Sequence, residues 1–164
     1  MNARIYHVLF VCTHNSARSI MAEGLLNHLG RGRFRAHSAG SHPAGVVQPL
    51  ALAVLAQMGL PTDGYRSKGW AEFAGPDAPA MDFVLTVCDQ AAGEPCPVWP
   101  GQPTTAHWGV PDPSQVRGSD PQRAQAYRDA ATTLKRRIEL MLALPLASLD
   151  RLAIQREVRD IGSR

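Results

Sequence analysis

Cys12 and Arg18 enclose five small or polar residues, Thr13, His14, Asn15, Ser16 and Ala17, and Ser19 follows at once. Upstream lies the apolar run Val8-Leu9-Phe10-Val11, and from Arg18 onward a helical pattern begins. A buried strand, a tight loop and a helix N-terminus are the expected order. Backbone N–H groups in such a loop curl into a nest for a tetrahedral anion, and the helix dipole adds positive potential. Arg18 carries a planar fork that matches two oxygens of a phosphate-like group. The same field is expected to pull the Cys12 thiol below its free pKa of about 8.5, so that a thiolate is aimed at the bound oxyanion. The competing reading makes Cys12 a buried core thiol, since cysteine is among the most buried residue types. Against it, an arginine in the first helical turn opposes the dipole unless an anion compensates. Neither GxxxxGKS/T nor GxGxxG occurs, so the loop is not a nucleotide cradle.

Cys88 and Cys96 are the other two cysteines. Zinc explains them poorly, because no CxxC is present and too few ligands lie nearby to close a tetrahedral site. An odd cysteine count argues against a secreted disulfide framework and for chemistry in a reducing compartment. Taken with Cys12, a thiol relay accounts for them better than two incidental thiols, because each thiolate in an exchange must reach the next sulfur in turn. Asp112 stands in Gly109-Val110-Pro111-Asp112-Pro113. It reads equally as a turn-forming Asp or as a general acid that protonates a departing oxygen. His14 is expected to point to solvent, and His37, His42 and His107 to be structural. Trp99 and Trp108 either shield the mouth or pack.

The elements that must position these groups follow from periodicity. Ile5 to Val11 reads as a strand covered on both faces, and Ser19 to Leu29 as a helix with Met21, Leu25 and Leu29 on one face. Phe34 to Gly40 is a second strand. Pro49 opens a second helix, with Ala51, Val54, Leu55 and Met58 buried and Gly59 as its stop. Ser67 caps a short helix through Phe73. Phe83 to Val87 is a third strand ending at Cys88, and Thr104 to Trp108 a short fourth. Asp120-Pro121 starts a long helix with Asp120 as its cap; Tyr127, Ala131, Leu134, Ile138 and Met141 line one face, and Pro145 ends it. Leu149, Leu152, Ala153 and Arg156 suggest a last helix near 148–161, packed on the body or on a second subunit.

Alternating strands and helices specify an α/β fold with a parallel sheet. The order 2-1-3-4 places the C-terminal ends of strands one and three side by side, where winding reverses and ligands bind. Cys12 and Cys88 then share one mouth. With 164 residues the chain fits a single domain. Net charge is +3, and the clusters Arg31-Arg33-Arg35 and Lys135-Arg136-Arg137 read as solvated faces. No aromatics interleave with them, so nucleic acid is not an expected partner. No stretch approaches a transmembrane helix and the N-terminus does not read as a signal peptide, so a cytoplasmic protein without membrane contact is expected.

CTHNSARSIMAE, HSAG, VLTVCDQAAGEPCPVWP and HWGVPDP together resemble the arsenate reductases of the low-molecular-weight protein tyrosine phosphatase superfamily, and most of all their thioredoxin-coupled branch. The resemblance spans roughly residues 4 to 143 by pattern. It implies a flavodoxin-like fold with a four-stranded parallel sheet in the order 2-1-3-4 and helices on both faces. Residues 1–145 form the reductase domain, and 146–164 a C-terminal helical extension of that domain. It implies Cys12 as nucleophile, Arg18 as oxyanion clamp, Ser19 as hydrogen-bond partner of the Cys12 thiolate, Asp112 as general acid, and Cys88 and Cys96 as the resolving pair. Thr13 to Arg18 would bind arsenate, with phosphate or sulfate competing, and thioredoxin would be the reductant. Glutathione with glutaredoxin is the other coupling. No cofactor and no metal are implied. Some members hold potassium through residues matching Asn15, Glu23 and Ser38 and a downstream acid. Here Lys68 stands near that acid's position, so its ammonium is expected to fill the space. Two further departures are a cysteine pair spaced one residue wider and Pro113 where phosphatases carry an aromatic. A phosphotyrosine phosphatase using Cys12, Arg18 and Asp112 is the alternative enzyme, and an oxyanion sensor the non-enzyme one.

Overall fold

The computed structural model describes residues 4–88, 99 and 101–164. Four parallel strands, β1 (Tyr6–Cys12), β2 (Phe34–Gly40), β3 (Phe83–Thr86) and β4 (Thr104–His107), lie in the order β2-β1-β3-β4. Alternate residues of a strand point to opposite faces, yet Val8 through Cys12 are all buried, so both faces of β1 are covered. Helix α1 (Arg18–Leu29) lies over one face, where Glu23 meets Ser38 and Asn27 bonds the backbone of Ala36. On the other face a 3₁₀ turn, Trp70–Phe73, sets Phe73 against His37. Helix α2 (Pro49–Gln57) packs on α1 through Ala51, Val54 and Leu55. At Gly24 of α1, a Cβ would lie 2.6 Å from the Tyr65 hydroxyl and 3.2 Å from Leu55, which accounts for a glycine inside that helix.

Register sets the mouth. Cys12 pairs with Gly40, Val11 with Thr86, and Thr86 with His107, so all four strands end together. Beyond β3, Val87 donates to Val11 O at 2.8 Å and carries the chain to Cys88 at the level of Cys12.

Helix α3 (Asp120–Leu142) buries Tyr127, Ala131, Leu134, Ile138 and Met141, as its period predicts. Its cap is Ser119 rather than Asp120. Ser119 Oγ accepts from Gln122 N–H while the Gln122 side chain accepts from Ser119 N–H, a reciprocal capping box that leaves Asp120 one position inside. Ser67 is not a cap either: its hydroxyl accepts from Gly45 N–H and donates to His14 O. The last helix, α4 (Arg151–Ile161), starts later than its pattern suggests, with Asp150 as cap. It packs through Ile154, Val158 and Ile161, while Leu152 is 79% exposed. It runs along β4, where Gln155 bonds Thr105 O and the Trp108 indole donates to Val158 O at 2.9 Å. Trp108 is therefore a packing residue, buried against Phe10, and Trp99 packs edge-on against Trp70.

Candidate active site

Gly40 is what allows the loop after Cys12 to turn. A Cβ there would stand 2.5 Å from Thr13 O, 2.9 Å from Cys12 O and 3.0 Å from Asn15 N, so the loop lies directly on the glycine backbone. Asn15 takes a left-handed backbone, φ 48°, which asparagine tolerates. The loop carbonyls are tied outward: Thr13 O accepts from His42 N–H at 2.8 Å, His14 O from Ala44 N–H at 3.0 Å, and Ser16 O from Gln48 N–H at 2.8 Å. Among the described residues, the N–H groups of His14, Asn15, Ser16 and Ala17 have no protein acceptor. Helix α1 likewise begins without a side-chain cap or an acidic first turn. A loop that spends its carbonyls on the scaffold and keeps its amides, at an uncapped helix N-terminus, can receive an anion.

Cys12 lies at the bottom, 3% exposed, with Ser19 Oγ 2.9 Å from its sulfur. Its neighbours leave the Ser19 proton available to that sulfur. Lys68 N–H donates to Asn15 Oδ1 at 2.9 Å, so Asn15 Nδ2 is the end that meets Ser19 Oγ, at 2.8 Å. Ser19 thus accepts from Asn15 and is left to donate its own proton to sulfur. Burial nevertheless pushes the Cys12 thiol up, and the proximity of Cys88 adds to this; Ser19 and Arg18 pull the other way without prevailing. The expected depressed thiol is therefore corrected for this arrangement. Desolvation is the largest influence on this thiol and Arg18 the smallest.

Arg18 donates from Nη1 to Val110 O at 2.9 Å and holds Nη2 3.5 Å from Asp112 Oδ2. It bridges the anion loop to the segment after β4. Asp112 forms the turn that one of its sequence readings expected: Oδ1 accepts from Ser114 N–H and Oγ–H, while Oδ2 faces Arg18. Burial works to raise its pKa, but the Ser114 bonds and the Arg18 charge outweigh it and hold the carboxyl below its usual value.

Cys88 shares this mouth. Thr13 N–H donates to its sulfur at 3.3 Å and Thr13 Oγ1 lies 3.4 Å away. Both Cys12 and Cys88 are buried. Cys96 falls outside the described residues. Of the remaining expected loop residues, Ser16 is half-buried, Ala17 buried, and His14 exposed with Nδ1 3.2 Å from His42 O. His37 stacks on His7, and His107 Nδ1 lies 2.8 Å from Thr86 Oγ1. Beneath the loop, Glu23 accepts from Ser38 Oγ–H and lies 4.0 Å from Lys68 Nζ, which also donates to Arg66 O at 3.2 Å.

Two residues escaped the sequence reading. Gly40 closes the HSAG segment, but only the loop lying on it shows why it is glycine. Arg137 belonged to a basic triplet read as solvated, yet it is 8% exposed and donates to Trp108 O and Gly109 O at 2.8 and 3.0 Å. The signal was available: it sits three residues after Leu134 and four before Met141, on the buried stripe of α3.

The chain matches the model of the low molecular weight phosphotyrosine protein phosphatase family over residues 7–155, well past Pro145, where the sequence pattern stopped. A glutaredoxin arsenate reductase of Synechocystis is 32% identical over 136 residues, 83% of this chain and 95% of the relative. A solved arsenate reductase in its phosphate-binding state shares 30% identity with a TM-score of 0.65, covering 84% of this chain and 97% of that one. The thioredoxin-dependent arsenate reductase of Corynebacterium glutamicum superposes with a TM-score of 0.56 at 25% identity, covering 85% of this chain and 65% of that one. With the parallel order β2-β1-β3-β4 and a cysteine-to-arginine anion loop between β1 and α1, the chain belongs to the low molecular weight phosphotyrosine protein phosphatase family.

Proposed function

We propose that the protein reduces arsenate to arsenite through its own thiols. The observation that carries this reading is the position of Cys88, whose sulfur rests on the first peptide N–H after Cys12. Arsenate enters the loop as a phosphate-shaped anion, held by the amides of Thr13 to Ala17 and by Arg18. As the guanidinium turns from Asp112 to the oxyanion, a cation leaves the carboxyl and an anion arrives, and both changes raise its pKa toward that of a general acid. The same movement brings positive charge to Cys12 and favours its thiolate. Cys12 attacks arsenic, the S–As bond forms, and Asp112 delivers the proton with which the departing oxygen leaves as water.

Cys88 as thiolate then attacks Cys12 Sγ. The S–S bond forms, the S–As electron pair stays on arsenic, and arsenite departs. Arsenic has gained the two electrons that the sulfurs have lost. Cys96 attacks Cys88, releasing Cys12 as thiolate and leaving a Cys88–Cys96 disulfide for an external dithiol to reduce. We take thioredoxin as that dithiol. The name of the Synechocystis relative points to glutaredoxin and that of the Corynebacterium relative to thioredoxin, so Cys96 is the residue to test. In this scheme the Cys88→Ser and Cys96→Ser variants lose multiple-turnover arsenate reduction with thioredoxin. Retention of full turnover by both sinks the relay, and loss in Cys88→Ser alone favours glutathione with glutaredoxin.

The phosphatase alternative draws support from the family itself. It leaves Cys88 without a task, and aryl phosphate hydrolysis without arsenate reduction would favour it. The Lys68 ammonium beside Glu23 supports the reading that no potassium is held under the loop. Residues 146–164 are proposed as part of the same domain, because α4 is bonded to β4 along its length. The reaction calls for no cofactor. No helix among the described residues is long and apolar enough to cross a membrane, and the proposed location is the cytoplasm.

A further inference from the structure

Three consecutive carbonyls lead from β4 to Asp112, and two guanidiniums hold them. Arg137 reaches out of the interior of α3 and donates from Nη1 to Trp108 O at 2.8 Å and to Gly109 O at 3.0 Å. Arg18 takes Val110 O at 2.9 Å. Arg137 is buried, its Nε has no partner, and no carboxylate lies within ion-pair distance of it among the described residues. A cation so placed is poor at stabilising a fold, because an apolar side chain of the same volume is often as good or better. What it holds is the strand of carbonyls that leads to Asp112.

Arg18 cannot serve every partner at once. A fork that closes on a bound oxyanion is withdrawn from Val110 O or from Asp112, and the segment then loses one of its two side-chain anchors. The backbone bonds Trp108 N–H to Thr86 O and Val110 N–H to Val87 O fix the donor side of the strand, and on the carbonyl side Arg137 keeps Trp108 O and Gly109 O whichever partner Arg18 gives up. We infer that Arg137 is a positioning residue for Asp112, holding the acid-bearing segment in place while Arg18 is engaged with substrate. This rests on the reading of Asp112 as general acid under Proposed function.

The test is a cycle of R137M and D112N, with R137K beside it, in multiple-turnover arsenate reduction. Phosphate inhibition is read as an independent measure of the anion loop, and thermal melting as a measure of the fold. R137M is expected to lower kcat about tenfold or more, as small misplacements of a reacting group do, with arsenate KM and phosphate inhibition within about threefold. In the D112N background the same substitution should change kcat less than about twofold, since no acid remains to be positioned. R137K should recover part of the loss, because one ammonium can donate to both carbonyls that Nη1 now serves. Equal losses from R137M with and without Asp112, or full kcat in a folded R137M, overturn the inference. Should R137M not fold, R137K carries the same cycle with the charge retained. If D112N alone keeps full kcat, the acid assignment fails, which is a different outcome from a failed cycle.

Discussion

The Thr13 peptide N–H and the Cys88 sulfur are 3.3 Å apart, and the Thr13 hydroxyl lies 3.4 Å from the same sulfur. The residue that follows the proposed nucleophile thus holds the proposed resolving thiol with both its backbone and its side chain. A donor aimed at sulfur fixes the direction from which that thiol approaches.

Replacing Thr13 with Val keeps the shape and the N–H but removes the hydroxyl. Formation of the Cys12–Cys88 disulfide after arsenate addition should slow by about threefold to tenfold, the worth of one hydrogen bond to a charged group. Phosphate inhibition should stay close to wild type. Rapid-quench trapping of the disulfide in a Cys96→Ser background measures it. An unchanged rate removes Thr13 from the relay.

Ser19 has its proton available to Cys12, with Asn15 donating to its oxygen. Burial already holds this thiol above its usual value, and Ser19 is the first influence opposing it. Ser19→Ala should therefore move the pH midpoint of Cys12 alkylation upward. Asn15→Ala should move it the same way by less. A downward shift would mean that sulfur, not the hydroxyl, is the donor.

Glu23 and Lys68 occupy the space under the loop. Burial raises Glu23, against Ser38 and Lys68, and lowers Lys68, against Glu23. Turnover and melting of the wild type should not distinguish potassium from sodium chloride at equal ionic strength. Lys68→Met should cost about 1–3 kcal/mol by leaving a carboxylate buried without its cation. A potassium-specific gain in the unaltered protein contradicts this.

His37 stacks on His7, with its Nε2 3.1 Å from His7 Nδ1, and burial, His7, Arg35 and Lys68 together lower its pKa to about 4. The unfolded chain takes up this proton near pH 6.5 and the folded one only near 4, so the unfolded state binds more protons between them. Stability is full above about pH 6.5 and falls as the pH drops toward 4. Allowing for partial solvent screening, the loss is about 1–2 kcal/mol. Urea unfolding at both pH values should show it, and His37→Phe should flatten the slope. A flat wild-type profile rejects the assignment.

Much of this arrangement can be read from residues. Val8 to Val11 and Phe83 to Leu85 are continuous apolar runs, as strands covered on both faces require, and their order follows from the alternation with helices. What escaped depends on phase or on tertiary contact. Arg137 hides in a run of charges until the helical period places it on the buried stripe. Ser119 was legible as the S-x-x-Q box, but Asp-Pro is the louder local signal. Leu152 is apolar and still exposed, because the stripe of α4 runs through Ile154, Val158 and Ile161. The protonation of Cys12 was beyond the sequence, since it turns on how deeply the sulfur is buried.

The last helix has a consequence for the mouth, far as it lies from Cys12 in the chain. A Cβ on Gly162 would fall 2.2 Å from His107 O, so the final turn lies flush against the strand that leads to Asp112. That helix hems the sheet's outer border, where open backbone would otherwise recruit a strand from a neighbouring molecule. The acid-bearing segment therefore starts from a margin stitched shut by the chain's own tail.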